Sequence, residues 1–178
     1  MRQPTRPAPE LPQALFAPGG PSAPAPGAAV EIRATPVDAP EALALIGGSE
    51  AEQAALYPPE VRYAFSPQEL IAAGVHFVVA WADGQPAACG GFAPLEGYGE
   101  LKRMFTDPAF RGRRLAGAVL IALEQEAAAR GLPLMRLETG KNSPQAIRAY
   151  ARAGYTRRGP FGDYPENGSS VFMEKRLA

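Results

Sequence analysis

The stretch ELKRMFTDPAFRGRRLAGAVLIALEQEAAARG, residues 100–131, sets a basic, glycine-bearing bend directly in front of an apolar helical run. Arg111, Gly112, Arg113 and Arg114 precede Leu115, and Leu115, Val119, Leu123 and Ala127 then recur every four positions, the period of a helix face. Free backbone N–H groups in the first turn of such a helix, with the positive end of its dipole, form a site for phosphate or pyrophosphate. Three guanidiniums add formal charge. Each exposed dipole contribution is worth only ~0.3–1 kcal/mol, so several donors have to converge. A solvated surface turn with the same arginines is the alternative that spacing alone leaves open.

Other chemistry is bounded by what the chain lacks. One cysteine, Cys89, and one histidine, His76, exclude an intrachain disulfide, a Cys/His zinc cluster and a two-histidine metal site, so no metal is expected. Cys89 sits in a small-residue strand and reads as a buried, inert thiol; His76 heads an apolar strand and reads as structural. Chemistry is left to carboxylates, tyrosines, arginines, backbone groups or a borrowed cofactor. Lysine plus arginine number 18 against 18 aspartate plus glutamate, a balance that argues against a general nucleic-acid or membrane-surface binder. A nucleic-acid role for Lys102, Arg103, Arg111, Arg113 and Arg114 also lacks the interleaving of aromatic and basic residues such sites use.

The elements that must position these groups can be read from punctuation and period. Of 20 prolines, eight fall before residue 30 among alanines and glycines, which predicts a disordered tail over 1–29 and one folded domain over 30–178. Leu11, Leu15 and Phe16 are broken up by Pro12 and Pro18, so no secretory leader is expected. The densest apolar run, AGAVLIAL at 116–123, is far short of the roughly 18 residues of a membrane span. Together these predict a cytoplasmic protein with no membrane partner. VEIRAT alternates as a half-buried strand. A helix is expected from Pro40 toward Leu56, interrupted by Gly47 and Gly48. HFVVAW and AACGGFA flank an Asp83-Gly84 hairpin turn, and ELKRMFT (100–106) is extended, with Glu100, Lys102 and Met104 alternating onto one face. After the helix at 115–130 come a strand at 134–139, a helix opened by Ser143-Pro144, and two closing strands. The order is strand, helix, three meandering strands, helix, strand, helix, two strands: an α/β chain with a mixed sheet covered by helices.

RGRRLA (111–116) resembles the coenzyme A pyrophosphate motif of the GNAT N-acetyltransferase superfamily, Arg/Gln-x-x-Gly-x-Gly/Ala. DPAF before it, the helix after it, LMRLETGKNSPQAIRAYARAGY and the closing FMEKRL follow the same family order. The resemblance runs from about Val30 to Leu177 and is strongest over 100–155. It implies the GNAT fold, a mostly antiparallel mixed sheet of about six to seven strands flanked by about four helices. One position departs from the motif: Arg114 stands where the family has its first glycine. Either the cradle is looser there, or Arg114 takes ordinary helical geometry and contributes charge.

The resemblance further implies acetyl-CoA as cosubstrate and direct attack of an acceptor amine on the thioester in a ternary complex, with no nucleophilic cysteine, serine or histidine. It carries the coenzyme contacts to Met104 and Phe105, through their main chain, to Arg111, Gly112, Arg113, Arg114, Leu115 and Ala116 at the pyrophosphate, and to Asn142, which could equally cap the following helix. It points to Glu100 as base, with an exposed polar strand face as the alternative, and to Tyr150 as the acid that protonates the departing thiolate, with a core tyrosine as the alternative. Tyr164 with Asp163 is read as closing an acceptor pocket whose specificity comes from 56–63 and the loop near Tyr164. The acceptor implied is a primary amine on a small or amino-acid-like molecule. A protein N-acetyltransferase, a non-catalytic acyl-CoA sensor and a homodimer stay open.

Overall fold

The structure, a computed structural model, describes residues 30–166 and 168–178; the proline-rich tail read for 1–29 lies outside them. Seven strands form one sheet: β1 Val30–Ala34, β2 His76–Ala82, β3 Gln85–Leu95, β4 Tyr98–Thr106, β5 Leu134–Gly140, β6 Thr156–Arg158 and β7 Ser170–Arg176, in the order β1-β2-β3-β4-β5-β7-β6. Four helices cover it: α1 Pro40–Leu56, α2 Pro67–Ala72, α3 Leu115–Ala129 and α4 Pro144–Arg152. Every neighbouring pair is antiparallel except β4 and β5, which run parallel.

Both sheet faces are dry, and β2 shows why its sequence is apolar almost throughout. Successive side chains point to opposite faces: Phe77 and Val79 pack with Ala42, Leu45 and Ile46 of α1 and Leu70 of α2. Val78, Ala80 and Ala82 pack with Val119, Leu123 and Ala127 of α3 and with Tyr150 of α4. A strand covered on both sides loses polar alternation. None of the helices among the described residues is long and apolar enough to cross a membrane.

Two helix features differ from the sequence reading. Gly47 and Gly48 do not interrupt α1, which runs unbroken through them. A Cβ at Gly48 would come 3.1 Å from the Phe105 ring, so that glycine lets the helix lie close on β4. The fourth helix, α2, is capped by its own sequence: Ser66 Oγ accepts from the Glu69 backbone N–H while the Glu69 carboxylate accepts from Ser66 N, a capping box worth about 1 kcal/mol.

The decisive irregularity lies in β4. Cys89 pairs with Phe105 and Gly91 with Lys102, so Gly90 alone stands opposite Arg103 and Met104. Arg103 holds the extra residue of this bulge at φ 55°, an uncommon conformation for a side-chain-bearing residue. The bulge breaks the expected alternation. Glu100 and Lys102 face the α1 and α2 side, but Met104 is turned to the α3 side, where a Cβ on Gly90 would overlap its Sδ. Past Glu100 the sheet opens: β4 and β5 pair only at Gly99 with Met135 and Glu100 with Arg136, while β5 stays paired to β7 along its full length.

Candidate active site

The opening between β4 and β5 leads into a cleft walled by the C-terminal half of α1, the connector 62–65, β4 from Leu101, the end of β5, the start of α4 and the loop before β7. Its mouth is tied across by Tyr57 Oη and Ser143 Oγ at 3.2 Å. Gly140 lies directly under that tyrosine, and any Cβ there would overlap its hydroxyl.

Glu100 and Lys102 form a buried ion pair at 2.7 Å, their side chains 8% and 7% exposed. Tyr164 donates its hydroxyl to the same Glu100 oxygen at 2.6 Å, and Lys102 Nζ lies 3.2 Å from the Tyr164 oxygen. The ammonium also sits over the Phe65 ring, 4.1 Å from its centroid, an attraction that grows when the cation is desolvated. Burial and the Glu100 carboxylate push the Tyr164 phenol far above its usual range, so it stays a donor. Lys102 and Tyr164 reach the cleft wall; Glu100 lies behind them and is not part of it.

The carboxylate that does line the cleft is Glu138, near the end of β5. Burial raises its pKa above the usual carboxylate value, opposed by a hydrogen bond from Ser170 and the charge of Lys102. Tyr150 of α4 lines the same space. Burial, with Glu138 close enough for its charge to be felt, pushes the phenol well up, so it remains protonated at any working pH. One wall therefore presents a carboxylate with enhanced proton affinity and a phenol that keeps its proton, the pairing that general acid–base chemistry needs.

The basic bend is built from the backbone. Asp107 accepts from Ala109 N at 2.8 Å and starts a short 3-10 turn at Pro108–Phe110; Gly112 follows at φ 83° and Arg114 at φ 60°, ψ 21°. Arg114 thus does not take the ordinary helical geometry weighed from the sequence: it takes the left-handed conformation natural to the motif's glycine. No side chain caps α3, so its first-turn N–H groups have no side-chain acceptor from its N-cap. The arginines are not equally available. Arg111 bonds Glu52 of α1 at 2.5 Å and the Thr106 carbonyl at 3.2 Å, with its side chain 12% exposed. Arg113 pairs with Asp83 at 2.6 Å. Arg114 is exposed. Leu115 and Ala116 are buried core side chains, so only their main chain can face a ligand.

The Acetyltransferase (GNAT) family model matches residues 45–155. The chain belongs to the GNAT family. An "IAA acetyltransferase" of Azospirillum brasilense is 40% identical over 124 residues, 68% of this chain and 81% of that protein. The uncharacterized N-acetyltransferase YsnE of Bacillus subtilis is 34% identical over 123 residues, 67% and 82% respectively. Among solved structures, the PaiA N-acetyltransferase of Thermoplasma acidophilum in complex with coenzyme A aligns at TM-score 0.65 and 18% identity, over 83% of this chain and 99% of that one, a likeness of fold. The protein is therefore a GNAT N-acetyltransferase, and acetyl-CoA is the acyl donor of its family.

The residues named from the sequence fall into two groups in this GNAT fold. Met104 and Tyr150 line the cleft, Phe105 is a buried core side chain one residue on in β4, the bend at 111–116 follows β4 outside the cleft wall, and Asn142 is exposed just before α4. Tyr164 and Lys102 line the cleft together with Tyr57, Arg62 and Tyr63 of the 56–63 segment, whereas Asp163 is not in the cleft wall. Cys89 is fully buried, its thiol pushed up to about 12 by desolvation. His76 contacts Arg130 at 2.9 Å, and burial with that cation lowers its pKa; neither residue approaches the cleft. Glu138 was missed. Its signal was available as an acidic residue at the end of a strand entering a glycine turn, but period-2 patterning alone cannot tell an inward carboxylate from an exposed one.

Proposed function

We propose that the protein transfers the acetyl group of acetyl-CoA to a primary amine on a small molecule, by direct attack within a ternary complex, with Glu138 as base and Tyr150 as acid. The observation that carries this reading is the shared cleft wall of Glu138 and Tyr150 at the parting of β4 and β5.

The chain fits the coenzyme in two places. Main-chain amides at the uncapped start of α3, with the positive-φ bend at Gly112 and Arg114, suit a pyrophosphate. The unpaired β4 edge beyond Glu100 suits the amide-bearing arm, which would bind as an added strand does. Bound there, acetyl-CoA supplies an acyl carbonyl already activated as a thioester. Glu138 takes a proton from the incoming ammonium, whose unperturbed pKa of about 8–10 otherwise leaves little free amine near neutrality. Tyr150 gives its proton to the sulfur that leaves. The amine nitrogen gains the acyl carbon as the carbon–sulfur bond breaks; the second nitrogen proton, shed as the amide forms, returns to the Tyr150 phenolate, and the proton held by Glu138 passes to solvent, one released per turnover.

Glu100 acts in this reading as a positioning residue. Taking a further proton would discharge its ion pair and leave Lys102 buried and uncompensated, a cost of several kcal/mol. The buried free thiol of Cys89 and the dependence on acetyl-CoA fit a cytoplasmic location. The test is an acceptor screen reading free coenzyme A, followed by mass spectrometry of the product. A product 42 Da heavier than its amine, about the mass of one acetyl replacing hydrogen, is expected; binding of acetyl-CoA with no thiol release from any amine would identify a sensor instead.

A further inference from the structure

The cleft wall carries buried guanidinium donors that acetyl transfer by itself does not explain. Of the three cations on that wall, Lys102 is neutralised by Glu100. Arg103, only 5% exposed at its side chain, gives Nε and Nη2 to the Phe65 carbonyl and Nη2 also to Glu50 at 2.9 Å, yet its Nη1 is buried with no acceptor. Arg62, held just after the rigid Pro58-Pro59 turn, has no carboxylate within ion-pair distance among the described residues, and its Nε is also buried without an acceptor.

Two guanidiniums on one wall therefore hold buried N–H donors with nothing to receive them. Such donors are normally satisfied, and a plain amine acceptor would leave both unmet. A group with two oxygens and one negative charge answers them. A guanidinium matches a planar carboxylate through parallel N–H bonds. One unpaired charge and one spare donor suit a carboxylate better than a doubly charged phosphate.

We propose that the acceptor is a small amine that also bears a carboxylate, an amino-acid-type molecule whose carboxylate is held by Arg62 with Arg103 while its amine faces Glu138. This rests on the direct-transfer reading above. It assigns the 62–65 connector a substrate-selecting role: Arg62 grips the anionic end, and Arg103 both anchors Phe65 and supplies the second donor.

The test measures binding apart from turnover. With coenzyme A present, the N-acetyl derivatives of the standard amino acids, of β-alanine and of γ-aminobutyrate are titrated calorimetrically, each as carboxylate and as primary amide. These probes share no titrating amine, so each pair differs only at the group in question. At least one carboxylate should bind about tenfold or more tightly than its amide, the range expected of a charge-assisted contact. Arg62→Gln should erase that preference with coenzyme A affinity unchanged, and Arg62→Lys should retain part of it. Equal affinity within every pair for the wild-type protein overturns the proposal whether or not the variants fold, and so does a preference that survives Arg62→Gln. A parallel thiol-release assay with the free amines separates the two readings. Release that ignores the carboxylate leaves acetyl transfer standing and sinks the carboxylate site; carboxylate-selective binding without release does the opposite.

Discussion

Tyr164 reaches across 64 positions of sequence to donate its hydroxyl to Glu100 Oε1 at 2.6 Å, the same oxygen that Lys102 Nζ contacts at 2.7 Å. The loop before β7 is thereby fastened to β4 through one carboxylate oxygen, and the cleft wall at Lys102 and Tyr164 takes its shape from that junction. Glu100→Gln leaves the Lys102 ammonium buried without its counter-charge, which should cost about 3–5 kcal/mol. The double variant Glu100→Gln/Lys102→Met removes both charges and should recover most of the stability in urea unfolding, and with it a substantial share of turnover. A base at Glu100 demands the opposite: the double variant would refold its stability and stay as inactive as the single.

Glu138 gives a pH signature of the other kind. Its proton is held more tightly in the folded protein than in the unfolded chain, because burial disfavours the carboxylate. Its contribution to stability is therefore full below the unfolded carboxylate value and is lost as pH rises through the raised, folded one. Glu138→Gln should unfold at higher temperature than wild type at neutral pH and show no advantage in acid. The same variant should lose about 10²–10⁴ in turnover, the usual worth of a general base, and the acid limb of the kcat/KM profile should vanish with it. An unchanged acid limb would remove Glu138 from proton transfer.

Tyr150 should separate binding from chemistry. Its phenol is buried beside Glu138 and protonated throughout the working range, so Tyr150→Phe removes a proton donor without changing the apolar ring packed on Tyr155. Turnover should fall about 10²-fold or more at every pH between 6 and 9, while coenzyme A affinity by calorimetry stays the same. Recovery of turnover when the acyl donor carries a better thiolate leaving group would locate the loss at thiolate protonation; equal loss with both donors would make Tyr150 a packing residue.

How much of this could be read in advance divides along a physical line. Regular elements announced themselves: the four-residue period of α3, the Asp83-Gly84 turn and the glycine stops at Gly131 and Gly154, all three of these turn glycines at positive φ, reflect local geometry that local sequence specifies. The bulge at Arg103 did not. Its cause is tertiary, an arginine drawn onto the Phe65 carbonyl and Glu50 opposite a glycine with no room for a Cβ, and it moved Met104 to the face opposite Glu100. The capping box at Ser66 and Glu69 was legible but overlooked, since α2 is only six residues long. The roles of Glu100 and Glu138 could not be ranked from spacing, because the ranking depends on Lys102 and Tyr164 folding over one carboxylate and leaving the other on the cleft wall.

Arg114 tests whether main chain or side chain grips the pyrophosphate. At φ 60° its Cβ crowds the backbone by about 1–2 kcal/mol, part of which glycine recovers and part of which it returns as unfolded-chain entropy. Arg114→Gly should therefore raise stability by about 0.5–1 kcal/mol in thermal unfolding. If amides of the α3 first turn hold the phosphates, removing one exposed charge should weaken coenzyme A binding by no more than about fivefold, with a shallower salt dependence. Arg114→Val keeps a Cβ and adds branching where positive φ tolerates it least, so the bend should distort and affinity fall by more than tenfold. Should the glycine variant instead lose coenzyme A about a hundredfold while gaining stability, the guanidinium would be the grip, and the left-handed turn only the means of presenting it.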